Sequence, residues 1–130
     1  SSAASDVYKR QIKEYLKEIQ RDGSELGADE VLKDTLKWLD SRGMKNAVSM
    51  QMVEQYAFSV ARWIHLERLI SKYGYIAKHP TTGAPIQSPY VAMAQSYMKQ
   101  VIAIRSEINL QLKESRPAPT TYVREVVYGE

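Results

Sequence analysis

The sequence predicts an all-α fold, with short N-terminal helices followed by a long antiparallel helical hairpin that has a Gly/Pro-rich tip loop. Two long segments carry apolar residues at spacings of three and four, the period of one helix face. Between them, residues 74–89 contain five Gly and Pro residues, which interrupt regular structure. The chain has 130 residues, a length typical of one domain.

Two short helices are predicted before the hairpin. The first should end near Gly23 and the second near Gly43, because glycine readily adopts the left-handed conformation that ends a helix. Asp29 or Ser24 can cap the start of the second helix. Each helix has one apolar face, formed by Ile12, Tyr15, Leu16 and Ile19 in the first and by Val31, Leu32, Thr35, Leu36 and Leu39 in the second.

The two long helices form the hairpin. Ser49 is a predicted N-cap for the third helix, which should run to about Tyr73. The fourth should start at Tyr90, directly after Pro89, and reach about Glu114. About 24 residues in each helix correspond to a length of about 36 Å.

Short strands are predicted at the hairpin tip. Residues 75–77 and 84–86 can pair there, although Pro85 limits the hydrogen-bonded ladder because proline lacks a backbone N–H. The loop between them contains four candidate phosphate or partner contacts, which can equally form hydrogen bonds within the turn. These residues are Lys78, His79, Thr81 and Thr82.

These elements divide the chain into four parts. Residues 1–11 resemble a translated cloning-adapter sequence, so we expect a non-native leader, with a native polar leader as the alternative. Residues 12–45 form the N-terminal helical part, and residues 46–115 form the hairpin and oligomerisation core. Residues 116–130 are a C-terminal tail, either loose or adding an edge strand to a neighbour.

The sequence lacks the common signatures of an enzyme. It contains no cysteine, which excludes disulfides and thiolate metal sites. No phosphate-binding GxxxxGK[ST] loop is present. His65 and His79 are the only histidines, and they belong to different predicted elements without a recognised metal-ligand spacing. No apolar run approaches the roughly 18 residues that a membrane span requires. We therefore expect no catalytic activity, metal or cofactor.

Four short motifs follow one another along the hairpin: YA at residues 56–57, ARW at residues 61–63, KHPTTG at residues 78–83 and SPYVAM at residues 88–93. Their order, with a long helix on either side of the loop, resembles the small terminase subunits of tailed phages. More narrowly, the chain resembles the branch found in phages and prophage-like elements of Gram-positive bacteria. It covers about residues 28–116.

The resemblance implies a non-enzymatic subunit that recognises double-stranded viral DNA. It implies assembly into a homo-oligomeric ring, which hands the DNA to the large terminase subunit with its ATPase and nuclease. It also implies action in the bacterial host cytoplasm during phage assembly, and absence from the mature virion. Two other classes stay open: a phage head-completion or connector protein, and a small DNA-binding regulator of a mobile element.

Basic residues are the candidate DNA contacts, because phosphate contacts supply most of the affinity for DNA. The net charge of +3 is only mildly basic. N-terminal helices contact DNA in many small terminase subunits, so the resemblance favours the basic residues of the second helix and its C-terminal turn. These are Lys33, Lys37, Arg42 and Lys45.

The apolar surface of the hairpin is wider than one helix face, which favours packing against a second protomer. Head-to-tail contacts of this kind close into a ring when the rotation permits. A wide face buried within one monomer is the alternative. Arg62 is expected to pair with Glu107 or Glu114 across the hairpin. The candidate oligomer and core residues are Tyr56, Val60, Trp63, Tyr97, Val101, Ile104 and Ile108.

Overall fold

A computed structural model describes residues 14–115 of the chain. Residues 14–16 are helical, and three longer helices and two short strands follow. The predicted helical class is confirmed, and the chain also forms a small two-stranded sheet. The predicted leader, the C-terminal tail and Ile12 lie outside the described residues. In chain order the elements are α1 (Ala28–Ser41), α2 (Met50–Tyr73), β1 (Ile76–Lys78), β2 (Pro85–Gln87) and α3 (Pro89–Ser115).

The first predicted helix does not continue to Gly23. The helical residues end at Leu16, and Ile19 instead forms an isolated antiparallel bridge with Glu25. The backbone N–H of Leu26 donates to the carbonyl of Glu18 at 2.9 Å, and this closes the loop. These bonds use backbone groups that a longer helix would need. The apolar spacing of Ile19 was therefore a misleading signal.

The start of α1 differs from the prediction, whereas its end agrees. Gly27, with φ of 77°, occupies the N-cap, and no side chain caps the helix. Ser24 donates instead to Asp22, at 2.6 Å from its hydroxyl, and this bond lowers the pKa of Asp22. The prediction that Ser24 or Asp29 caps α1 is thus wrong. At the other end Gly43, with φ of 67°, lies just beyond the last turn as expected.

The predicted bounds of the two long helices are confirmed to within one residue. The Ser49 hydroxyl accepts a hydrogen bond from the N–H of Met52 at 3.2 Å, which is the expected N-cap of α2. α2 ends at Tyr73, and the φ of 85° at the following residue, Gly74, takes the chain out of the helix. α3 begins at Pro89, one residue before the predicted start.

Two contacts show that α2 and α3 run in opposite directions. The rings of Tyr73 and Tyr90 lie 6.3 Å apart, which joins the end of α2 to the start of α3. The guanidinium of Arg105 lies 3.5 Å from the hydroxyl of Tyr56, which joins the first half of α2 to the second half of α3. We call the end with the two strands the distal end, and the end with α1 the proximal end.

The buried core is concentrated at the proximal end. Here α1 and the N-terminal segment pack on the start of α2 and the last turns of α3, with eleven buried residues in one cluster. The distal cluster has only three, Leu66, Ile70 and Ala94. The proximal cluster consists of Leu16, Leu26, Ala28, Leu32, Leu39, Val48, Val53, Ala57, Ala61, Ile108 and Leu112.

Arg62 fixes the N-terminal segment to α2. One guanidinium nitrogen donates to the side-chain oxygen of Gln20 at 2.6 Å, and the guanidinium stacks 4.9 Å from the centre of the Phe58 ring. Gln20 itself is nearly fully buried. The expected pairing of Arg62 with Glu107 or Glu114 is therefore replaced by a contact with the N-terminal segment.

Replacing Ser49 by alanine should lower the free energy of unfolding by about 1 kcal/mol, because the cap bond to Met52 is lost. Chemical denaturation followed by circular dichroism measures this change. Ser71→Ala, at an exposed site in the same helix, is the control and should stay within about 0.5 kcal/mol of the parent. Equal stability of Ser49→Ala and the parent would contradict the assigned cap.

Candidate nucleic-acid interface

The basic residues of α1 share their surface with acidic ones. Lys33, Lys37 and Lys45 line one open depression along the helix. Four carboxylates line the same depression, so its fixed charge is slightly negative despite the three lysines. A phosphate placed there would meet repulsion as well as attraction. The four acidic residues are Asp29, Glu30, Asp34 and Asp40.

Arg42 lies apart from the three lysines. Its guanidinium stacks over Trp38, 4.6 Å from the ring centre, and lines a separate cleft with Asn109 and Lys113 of α3. The structure therefore brings together three of the four predicted DNA-contacting residues, in a mixed-charge setting. Their role in DNA binding stays a prediction.

The strands at the distal end hold the four candidate loop residues close together. Ala77 pairs with Ile86 and Lys78 with Pro85, so the predicted strands form, each shifted by one residue along the chain. Beyond them the N–H of His79 donates to the carbonyl of Ala84 at 2.8 Å. Pro85 is the first residue of its strand, a position where the missing N–H is tolerated.

Two of the candidate loop residues also shape the turn. The Nδ1 atom of His79 accepts the backbone N–H groups of Thr81 and Thr82, at 3.1 and 3.3 Å. The hydroxyl of Thr82 accepts the N–H of Ala84 at 3.2 Å. Lys78 and Thr81 have exposed side chains at the same tip. The turn thus fixes the backbone and presents an ammonium group and a hydroxyl to solvent.

Charge is divided unequally between the two ends. Residues 14–54 hold nine acidic and six basic residues, a net charge of −3. Residues 68–106 hold five basic residues and no acidic one, a net charge of +5. Partial burial raises the pKa of Glu54, on the proximal part of α2. The distal end and the adjoining half of α3 are therefore the strongly cationic part of the described chain.

The candidate oligomer and core residues lie mostly between the helices of one chain. Ile108 is buried, and the other six are half-buried. Tyr56 and Ile104 pack on the proximal cluster, and Trp63 and Tyr97 on the distal one. The Trp63 indole nitrogen is buried without a hydrogen-bond partner in the described part of the chain, so packing alone holds the ring.

Other apolar residues of α3 face solvent. Met98 and Ile102 are neighbours on the helix surface, four residues apart, and Ile102 is 59% exposed. Met93 and Leu110 are also exposed. The width of the apolar pattern in the sequence was a signal for this surface, but periodicity does not reveal which side of a helix a neighbour covers.

Residues 14–115 contain no group of three or more His, Cys, Asp or Glu residues positioned to hold a metal ion. None of the helices in this range combines the length and the hydropathy needed to cross a bilayer.

Comparison with known proteins gives the family. The family described as phage terminase, small subunit, matches residues 28–117. The chain belongs to this family. The matched region of the small terminase subunit includes all three long helices and both strands, and it agrees with the resemblance seen in the sequence. No curated protein and no solved structure matches the chain significantly.

His79→Ala should loosen the tip of this small terminase subunit. Loss of the Nδ1 acceptor frees the amides of Thr81 and Thr82, whose hydrogen exchange should accelerate about 2- to 10-fold, the range expected for one modest hydrogen bond. Exchange measured by NMR reports both amides separately. His65→Ala, on α2, should leave them unchanged, and unaltered exchange in His79→Ala would argue against the described turn.

Proposed function

We propose that this small terminase subunit recognises viral DNA as a homo-oligomeric ring and delivers it to the large terminase subunit for genome packaging. The observation that carries the proposal is the family match, which extends from the first residue of α1 to beyond the end of α3. On this proposal the subunit is non-catalytic and supplies recognition. The large subunit supplies ATP hydrolysis and DNA cleavage.

Exposed apolar side chains support the assembly step. A hydrophobic surface on a helix that its own chain leaves uncovered is typical of a protein–protein contact. On α3, Met98 and Ile102 form such a surface, and Ile64 adds an exposed apolar residue on α2. Because these residues belong to different helices, a head-to-tail contact between copies can join one surface to the other and repeat around a ring.

A ring also explains how a mildly charged chain can bind DNA. Each copy has a net charge of only +3, and a single subunit would release few counterions from DNA. Linked copies raise the effective concentration of the next contact once one has formed. The subunit would act in the host cytoplasm during assembly and be left out of the mature virion.

Ile102→Glu should reduce or abolish assembly, because a carboxylate at an apolar contact must lose its hydration. Native mass spectrometry gives the number of chains per particle, and circular dichroism checks that the helices persist. Gln100→Glu adds the same charge about 200° away around the helix axis and is the matched control. An Ile102→Glu protein that forms the same particle as the parent would place the contact elsewhere.

Binding of the parent protein to DNA tests recognition itself. Anisotropy titrations with a duplex from the element's own packaging region and with a random duplex, over a range of salt concentrations, should show preference for the former and a steep salt dependence. Binding confined to promoter DNA would favour a regulator. Failure to bind any duplex, in a protein that still assembles, would favour a connector.

A further inference from the structure

We propose that the distal end, and not α1, is the surface that contacts DNA phosphates in this protein. The contact surface is formed by Arg68 and Lys72 of α2, together with Lys78 at the hairpin tip. This inference rests on the proposed DNA recognition and adds the location of the contact.

The charge of the distal end favours this contact. All three side chains are exposed, and no acidic residue lies between Glu67 and Glu107 in the chain. Phosphate oxygens there meet three cationic groups and one nearby carboxylate, that of Glu67, which lines a shallow depression together with Arg68. By contrast, Lys33 and Lys37 of α1 and the nearby Lys45 share one depression with four carboxylates. Charges of one sign concentrated on one surface attract a polyanion far more strongly than the same number interspersed with opposite charges.

The position of two of these residues on α2 also favours the contact. Arg68 and Lys72 are four residues apart and lie side by side on α2. They lie on the same face of α2 as Ala57 and Ala61, which are buried in the proximal cluster. At the proximal end other parts of the chain cover this face of the helix. In the structure of one chain, its distal part stays open, as a charged surface for a ligand must be.

The neighbouring side chains suit a sugar–phosphate backbone. Tyr75 is 72% exposed, and Tyr73 is also exposed beside the Lys72 ammonium, which lies 5.3 Å from its ring centre. Tyrosine hydroxyls, like Thr81 at the tip, donate hydrogen bonds to phosphate oxygens. The Gly74 turn joins these aromatic residues to the hairpin that carries Lys78. Cationic groups and hydroxyl donors thus occur together on consecutive elements.

The test compares two triple variants that remove the same charge. Arg68→Gln, Lys72→Gln and Lys78→Gln are combined in the distal variant, and Lys33→Gln, Lys37→Gln and Lys45→Gln in the proximal one. The probe is a random-sequence duplex, because phosphate contacts carry no sequence information. Affinity is measured by anisotropy at a series of salt concentrations, and native mass spectrometry gives the assembly state of each variant.

The distal variant should bind more weakly, and the slope of log affinity against log salt should fall by about 2–3 for each contacting subunit. The proximal variant should keep nearly the parent slope. An unchanged slope in the distal variant, or an equal loss in both, would overturn the assignment while leaving DNA recognition intact. Dissociation of the distal variant would assign the surface to a second copy of the chain and also overturn it. A parent protein that binds no duplex would refute the proposed function itself.

Discussion

The length difference between α1 and the two helices on which it packs determines how this chain buries its surface. α1 has 14 residues, whereas α2 has 24 and α3 has 27. At a rise of about 1.5 Å per residue, α1 extends over little more than half of α2. Three helical elements can enclose a core at the proximal end, and only two meet at the distal end. The eleven-residue and three-residue clusters follow directly from this difference.

Uncovered helix surface has two different consequences along the same pair of helices. Where the outward residues are apolar, as at Ile102, exclusion from water requires another molecule. Where they are charged, as at Lys72, the open surface keeps the side chain hydrated and available. Regions with few buried contacts are also the ones from which binding elements are commonly drawn. The distal end combines a small core with concentrated charge.

Local sequence signals predicted the bounds of the two long helices, whereas they could not predict long-range contacts. Ser49, Gly74 and Pro89 act through the backbone of their own neighbourhood, so their effect on helix ends can be read without a partner. Ile19 and Arg62 could not be interpreted in this way, because a bridge to Glu25 and a hydrogen bond to Gln20 decide their positions.

At the candidate site, too, local interactions could be predicted from the sequence and longer-range ones could not. The residue types of His79 and Thr82 permitted two interpretations, a hydrogen bond within the turn or a contact with phosphate or a partner. The hydrogen bonds in the structure support the role in the turn. The mixed charge around Lys33 depends on which residues of α1 project to the same side. The acid-free segment from residue 68 to residue 106 can be counted in the sequence, but its place in the fold cannot. The fold places Arg68 and Lys72, near the end of α2, next to the strands that carry Lys78.

The turn at the tip also determines what the imidazole of His79 can offer to its surroundings. Because Nδ1 accepts two amide hydrogens, the proton of the neutral ring must reside on Nε2. That nitrogen can only donate. The ring therefore favours ligands that present lone pairs and disfavours those that present N–H or O–H groups, so a short loop acquires chemical selectivity from the tautomer its own backbone selects.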